Sequence, residues 1–149
     1  MATETERKFL VNGEFINLAV NKTDIIQRYI SIDSDKTVRV RISGNDGLLT
    51  IKGRPSGKSI SRKEWEFRIP IQDAREIMEI CLPGVIEKTR YIIPSGSHKF
   101  EVDVFHGKND GLIIAEIELS DELEEFEKPS WLGEEVTGKP EYYNANLLK

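Results

Sequence analysis

Lys36-Thr37-Val38-Arg39-Val40-Arg41-Ile42-Ser43-Gly44-Asn45-Asp46-Gly47-Leu48-Leu49-Thr50-Ile51-Lys52-Gly53 holds two alternating runs around a turn. Arg39 and Arg41 alternate with Val38, Val40 and Ile42. Beyond Gly44-Asn45-Asp46-Gly47, Thr50 and Lys52 alternate with Leu49 and Ile51. Period-two patterning is the signal of a strand, and Gly and Asn accept the positive φ that a tight hairpin needs. The pattern spreads in both directions. Glu4, Glu6, Lys8 and Leu10 lie opposite Thr5, Arg7, Phe9 and Val11, and Gln27 and Tyr29 opposite Arg28 and Ile30. Arg62, Glu64, Glu66 and Arg68 lie opposite Lys63, Trp65, Phe67 and Ile69, and Lys88 and Arg90 have the parity opposite to Tyr91 and Ile93. Lys99, Glu101 and Asp103 oppose Phe100, Val102 and Val104, and Glu116 and Glu118 oppose Ile113, Ala115, Ile117 and Leu119. The tally is about eight strands.

The links suit antiparallel neighbours. Pro94-Ser95-Gly96-Ser97 and Lys108-Asn109-Asp110-Gly111 are turn chemistry, and Pro55 to Ser59 makes a looser turn. Residues 72–81 switch to a helical period, with Ile77, Met78 and Cys81 on one stripe and Pro83-Gly84 as the stop. Residues 121–128, capped by Ser120 or Asp121 and halted by Pro129, predict a second helix. Residues 141–148 and 13–20 predict two short ones. The fold class is therefore α+β, mostly β: one domain over residues 1–149, an eight-stranded antiparallel barrel with a few flanking helices. Closure also removes exposed sheet edges.

Composition narrows the function. The 149 residues are 38% hydrophobic and 32% charged, with a net charge of −5, a balance that argues against coating nucleic acid. One cysteine excludes an internal disulfide, and with two histidines it leaves no typical structural zinc site. Charged residues open the chain where a signal peptide needs an apolar run, and no stretch is long enough to span a membrane. The expectation is a cytoplasmic protein, and the charge balance still allows a basic pocket inside an acidic shell.

Two arrangements satisfy the alternation. In one, the charged parity faces water around an oily centre, as is common for antiparallel sheets. In the other, the barrel is inverted, with a charged tunnel inside and apolar side chains outside beneath helices. Same-sign pairs favour the second: Glu4/Glu6, Glu64/Glu66, Glu101/Asp103, Glu116/Glu118, Arg39/Arg41 and Lys88/Arg90. Like charges about 7 Å apart on one strand face repel unless an opposite charge sits among them. A divalent cation would neutralise the acids, and a polyanion the bases.

Glu4-Thr5-Glu6-Arg7-Lys8 is an ExExK opening. Together with Arg39-Val40-Arg41, Thr50-Ile51-Lys52-Gly53, Glu64-Trp65-Glu66, Lys88-Thr89-Arg90, Glu101-Val102-Asp103 and Ala115-Glu116-Ile117-Glu118-Leu119 it resembles the CYTH superfamily, the triphosphate tunnel metalloenzymes. The likeness continues through Trp131-Leu132-Gly133 and Tyr142-Tyr143-Asn144 and is nearest to the short bacterial inorganic triphosphatases. It implies an eight-stranded tunnel, polar inside, that binds a triphosphate with one or two divalent ions, Mg²⁺ or Mn²⁺.

On that resemblance Glu4, Glu6 and Glu118 form the metal site, with Glu116 in support or else in a salt bridge. Oxygen donors suit these ions. Lys8, Arg39, Arg41, Lys52, Lys88 and Arg90 would grip phosphoryl oxygens, or some would brace the tunnel by pairing with Glu64, Glu66, Glu101 or Asp103. Glu66, Asp103, or Lys88 paired with Tyr29, are the candidate bases for water attack. Tyr142, Tyr143, Asn144 and Leu147 either close one mouth as a lid or cap an apolar rim. His98, His106 and Cys81 have no partners at ligand spacing.

Four activities fit such a tunnel: tripolyphosphate hydrolysis, class IV adenylate cyclase chemistry, thiamine triphosphate hydrolysis, and non-catalytic binding of polyphosphate or nucleotide. The full carboxylate set argues against the last. The lack of a legible pocket for a base favours the inorganic substrate. Gly53-Arg54-Pro55-Ser56-Gly57-Lys58-Ser59 mimics a P-loop, but it is one residue short and leads into a strand pattern rather than a helix.

Overall fold

The alternating segments close on themselves. In a computed structural model that describes residues 2–55 and 60–148, the strands are β1 (Ala2–Val11), β2 (Asn21–Ile32), β3 (Lys36–Ser43), β4 (Asp46–Gly53), β5 (Ser61–Ile69), β6 (Ile86–Ser95), β7 (His98–Phe105) and β8 (Ile113–Glu118). They are ordered β5-β4-β3-β2-β6-β7-β8-β1, and pairing of β1 with β5 completes the ring. A ninth strand, β9 (Leu132–Glu135), joins the far end of β1. Gly44 and Gly96, each at φ 60°, open two-residue turns between Ser43 and Asp46 and between Ser95 and His98. Positive φ at the first turn residue matches the twist of the flanking strands.

Register carries the charged parity from strand to strand, because directly opposed residues of an antiparallel pair share a face. Glu6 faces Glu118, Lys8 faces Glu116, Arg90 faces Asp103, Thr50 faces Glu66 and Lys52 faces Glu64. This face is the inside. Glu4, Lys8, Arg39, Arg41, Lys52, Lys88, Asp103 and Glu116 are all buried. The outward parity is apolar: Phe9, Phe100, Val102, Ala115 and Ile117 pack with Phe15 and Trp131. The barrel is the inverted one.

The bore is not charged along its whole length. Ile86, Phe105 and Ile114 follow the same parity as Lys88, Asp103 and Glu116, and they cluster with Tyr29 and Leu147 as an apolar plug. Leu147 comes from the carboxy-terminal segment, which folds as two 3-10 turns, Pro140–Tyr142 and Asn144–Leu148, rather than as one helix.

The outer cover departs most from expectation. Among the described residues only one α-helix forms, α1 (Ile71–Met78), and its Ala74 and Met78 lie over Val40. Residues 13–20 hold only a 3-10 turn, Ile16–Leu18. Residues 121–128 form no helix. Eight residues are too few to sustain a helix without packing, and here the side chains bond elsewhere. Asp121 accepts the Leu123 amide at 2.8 Å, Glu124 accepts the Ser120 amide at 2.6 Å, and Phe126 sits edge-on to Phe9 and Phe100. Irregular chain brings Phe15, Phe126 and Trp131 onto the oily face around Phe9 and Phe100. Of the P-loop mimic and the Pro55–Ser59 turn, residues 56–59 lie outside the described residues.

Candidate active site

The barrel encloses a cavity of roughly 250 Å³. Glu4, Glu6, Glu116 and Glu118 from β1 and β8 form one wall, and Arg39, Arg41 and Lys52 from β3 and β4 another. Lys8, Tyr29, Glu66 and Arg90 also reach it, as do Tyr143 and Asn144 of the carboxy-terminal segment.

On the acidic wall, Glu6 lies opposite Glu118 and Glu4 follows at the next inward position. Burial pushes the carboxyls of Glu4, Glu116 and Glu118 above their ordinary range. A hydrogen bond with Glu64 adds to this at Glu4, the charge of Glu6 at Glu116, and the charges of Glu4 and Glu6 at Glu118. Lys52 is the counter-charge, with its Nζ 3.0 Å from Glu4 and 3.8 Å from Glu6. Crowded acids with Lys52 and, opposite Glu116, Lys8 beside them suit a divalent cation. Among the described residues no three His, Cys, Asp or Glu side chains converge as a ready-made cage.

The basic side divides into free and committed cations. Arg90 is committed: Nε and Nη2 donate to Asp103 at 2.7 and 2.9 Å, and Nη1 donates to Glu101 at 3.3 Å. Arg39 and Arg41 are not. Neither is within ion-pair distance of a carboxylate among the described residues, and the buried Arg39 Nε has no hydrogen-bond partner. Arg41 donates from Nε to the neutral Gln27 Oε1 at 2.9 Å. Burial and then the neighbouring charges of Arg39 and Arg90 press its pKa below the usual arginine value. Lys8 donates to the Tyr142 carbonyl at 3.4 Å and lies over the Tyr143 ring.

Lys88 and Asp103 form the buried core of the network, behind the cavity wall. Lys88 Nζ is 2.8 Å from Asp103 Oδ2 and donates to Asn144 Oδ1 at 3.2 Å. Burial pushes the Lys88 amine down. Burial works to raise Asp103, but Lys88 and Arg90 outweigh it and hold the carboxyl well below the ordinary range. Glu66 is exposed at the rim and accepts from Thr50 at 3.0 Å.

The structure thus brings the charged residues picked from sequence around one space, except that Lys88 and Asp103 stand just behind it. Sequence reasoning gave no role to Gln27, to Arg62 or to Thr37, although the last two line the cavity. The signal was available, since all three share the inward parity of their strands. His98 contacts Glu124, His106 contacts Thr89 at 2.8 Å and Cys81 donates to the Ile77 carbonyl at 3.3 Å, all away from the bore.

Comparison with known proteins agrees with this geometry. The chain is 48% identical over 150 residues to an inorganic triphosphatase of Acetivibrio thermocellus, covering 100% of this chain and 95% of the relative. It is 34% identical to an inorganic triphosphatase of Nitrosomonas europaea, covering 97% and 96%. A crystal structure of an inorganic triphosphatase superposes with a TM-score of 0.66 at 31% identity, covering 97% of each chain. The CYTH domain model matches residues 2–147, and with a charged, inverted barrel behind that match this chain belongs to the CYTH domain family.

Proposed function

We propose that this chain hydrolyses inorganic tripolyphosphate to pyrophosphate and orthophosphate inside the barrel. The observation that carries the reading is the pair Arg39 and Arg41, two buried guanidiniums without a carboxylate partner among the described residues, one with an orphaned Nε. Buried cations left uncompensated are costly, and an anion in the cavity relieves that cost. Tripolyphosphate carries about four to five negative charges, and its hydrolysis needs electrostatic neutralisation more than covalent help. The relatives named inorganic triphosphatase support the same substrate class.

Proteins of this family generally depend on a divalent metal. Glu4, Glu6 and Glu118, with Glu116 in support, offer the oxygen donors that Mg²⁺ or Mn²⁺ takes. The ion would neutralise developing charge on the phosphoryl oxygens. Lys8, Arg39, Arg41 and Lys52 hold the substrate oxygens and keep its chain in line for attack, while Arg90, committed to Asp103 and Glu101, braces the wall beside them. Water adds to the terminal phosphorus, the bond from that phosphorus to the bridging oxygen breaks, and pyrophosphate leaves with the electron pair.

Among the candidate bases, Asp103 is the poorest, with both oxygens committed to Lys88 and Arg90. Glu66 is open to solvent. Lys88, although burial pushes its amine down, donates to Asp103 and Asn144 behind the cavity wall, so Glu66, which lines the cavity, is the candidate able to reach a water there, with Tyr29 on the same wall to orient it.

One assay panel tests the reading: tripolyphosphate, ATP, thiamine triphosphate and pyrophosphate, each with Mg²⁺ or Mn²⁺. Tripolyphosphate should be cleaved fastest to equal amounts of pyrophosphate and phosphate. Cyclic AMP from ATP without phosphate release from tripolyphosphate would overturn it.

A further inference from the structure

We propose that Gln27 is a positioning residue that holds Arg41 against the anion while leaving its charge unspent, an inference that rests on the tripolyphosphate reading above. Gln27 is fully buried on the inward face of β2, opposite Arg41 of β3. An arginine Nε can only donate, so the 2.9 Å contact fixes Gln27 Oε1 as the acceptor and turns Nε2 the other way. Nε2 then donates to Asn144 Oδ1 at 3.4 Å, and the same oxygen accepts from Lys88 Nζ at 3.2 Å. Arg41, Gln27, Asn144 and Lys88 make one chain of side-chain contacts that ties the basic wall to the carboxy-terminal segment.

The chemistry of the amide is what matters. The barrel holds Arg90 with the carboxylates of Asp103 and Glu101, which fix its position but neutralise it. Gln27 fixes Arg41 through Nε alone, with a neutral acceptor, so the terminal nitrogens and the full positive charge stay available to the cavity that Arg41 lines. A carboxylate at the same place would hold the guanidinium equally well and compete with phosphate for it. An apolar side chain of the same length would leave the charge intact and the fork unheld.

The experiment measures tripolyphosphate affinity by calorimetry without added divalent cation, so the readout does not depend on turnover. Gln27→Glu should weaken the dissociation constant about tenfold, as expected when an ion pair replaces a neutral hydrogen bond. Gln27→Met should weaken it about threefold, about the worth of one lost hydrogen bond. In an Arg41→Ala background both substitutions should change affinity less than twofold, because a residue acting through Arg41 has nothing left to act on. Under turnover, Gln27→Glu should raise KM far more than it lowers kcat. Wild-type affinity in Gln27→Glu and Gln27→Met, or unchanged penalties in the Arg41→Ala background, would overturn the proposal. If Gln27→Glu does not fold, Gln27→Met alone decides through the same cycle. A wild-type protein that binds tripolyphosphate but releases no phosphate sinks the hydrolase reading and leaves the Gln27 comparison intact. One that does not bind tripolyphosphate sinks both.

Discussion

Lys88 Nζ and Asp103 Oδ2 lie 2.8 Å apart, with essentially no exposure for either side chain, between the charged cavity and the apolar plug of the bore. Removing one member leaves a buried charge without its counterpart, so Asp103→Asn should cost about 3–5 kcal/mol. The carboxyl is held below its ordinary value of 3.8 in the folded state. Its contribution is therefore complete above that value and fades as the pH falls through the lower folded value. Melting curves of wild type and Asp103→Asn should differ fully at pH 7 and converge as the pH drops below about 4. A gap that stays constant down to strong acid would mean the carboxylate is not the stabilising form.

Arg39 should show the opposite balance. Its Nε is buried without a partner, so Arg39→Met should raise the melting temperature of the ligand-free protein while weakening tripolyphosphate binding. Thermal shift with and without tripolyphosphate reads both effects at once. The gain from added ligand should shrink in the variant, and a lower ligand-free melting temperature would contradict the picture of a strained cation.

Glu6 lies opposite Glu118 and 3.8 Å from Lys52 Nζ. In Glu6→Ala, repulsion on the acidic wall is relieved and the fold should survive, with circular dichroism unchanged. Metal-dependent phosphate release should fall by at least about a hundredfold, as expected when a ligand of a catalytic ion is lost. Wild-type turnover in that variant would remove Glu6 from the metal site.

Phe126 tests the irregular strap on the outside. Its ring contacts Phe9, Phe100 and His98 edge-on, and the Arg7 guanidinium lies 5.2 Å from its centroid while pairing with Glu135. Phe126→Ala should cost about 3 kcal/mol, near the low end for a buried phenylalanine because this one is only partly covered. Denaturant unfolding measures it. A loss below half that figure would show that the strap contributes little to closing the oily face.

Much of the fold was legible in the chain because a strand alternates its side chains with period two. Arg39 and Arg41 had to share a face, as did Glu4, Glu6 and Lys8, whatever the rest of the chain did. The two-residue turns at Gly44 and Gly96 were equally local, since each needs only one residue at positive φ. The predicted helix over 121–128 failed for the complementary reason. Its capping and period were local, but Phe126 was claimed by Phe9 and Phe100, which lie far away in sequence.

Local alternation determined which charges travel together and where the chain turns. It could not determine which face looks inward, because a sheet and its inverse have the same pattern. That choice belongs to closure of β1 on β5 and to the segments that bring Phe15, Phe126 and Trp131 over the apolar side. Nor could it say which cations are neutralised. Arg90 meets Asp103 and Arg41 meets Gln27 because the hairpin registers of β6 with β7 and of β2 with β3 put them opposite each other, but whether a carboxylate from another strand reaches Arg39 or Arg41 is decided only when the ring of strands is complete.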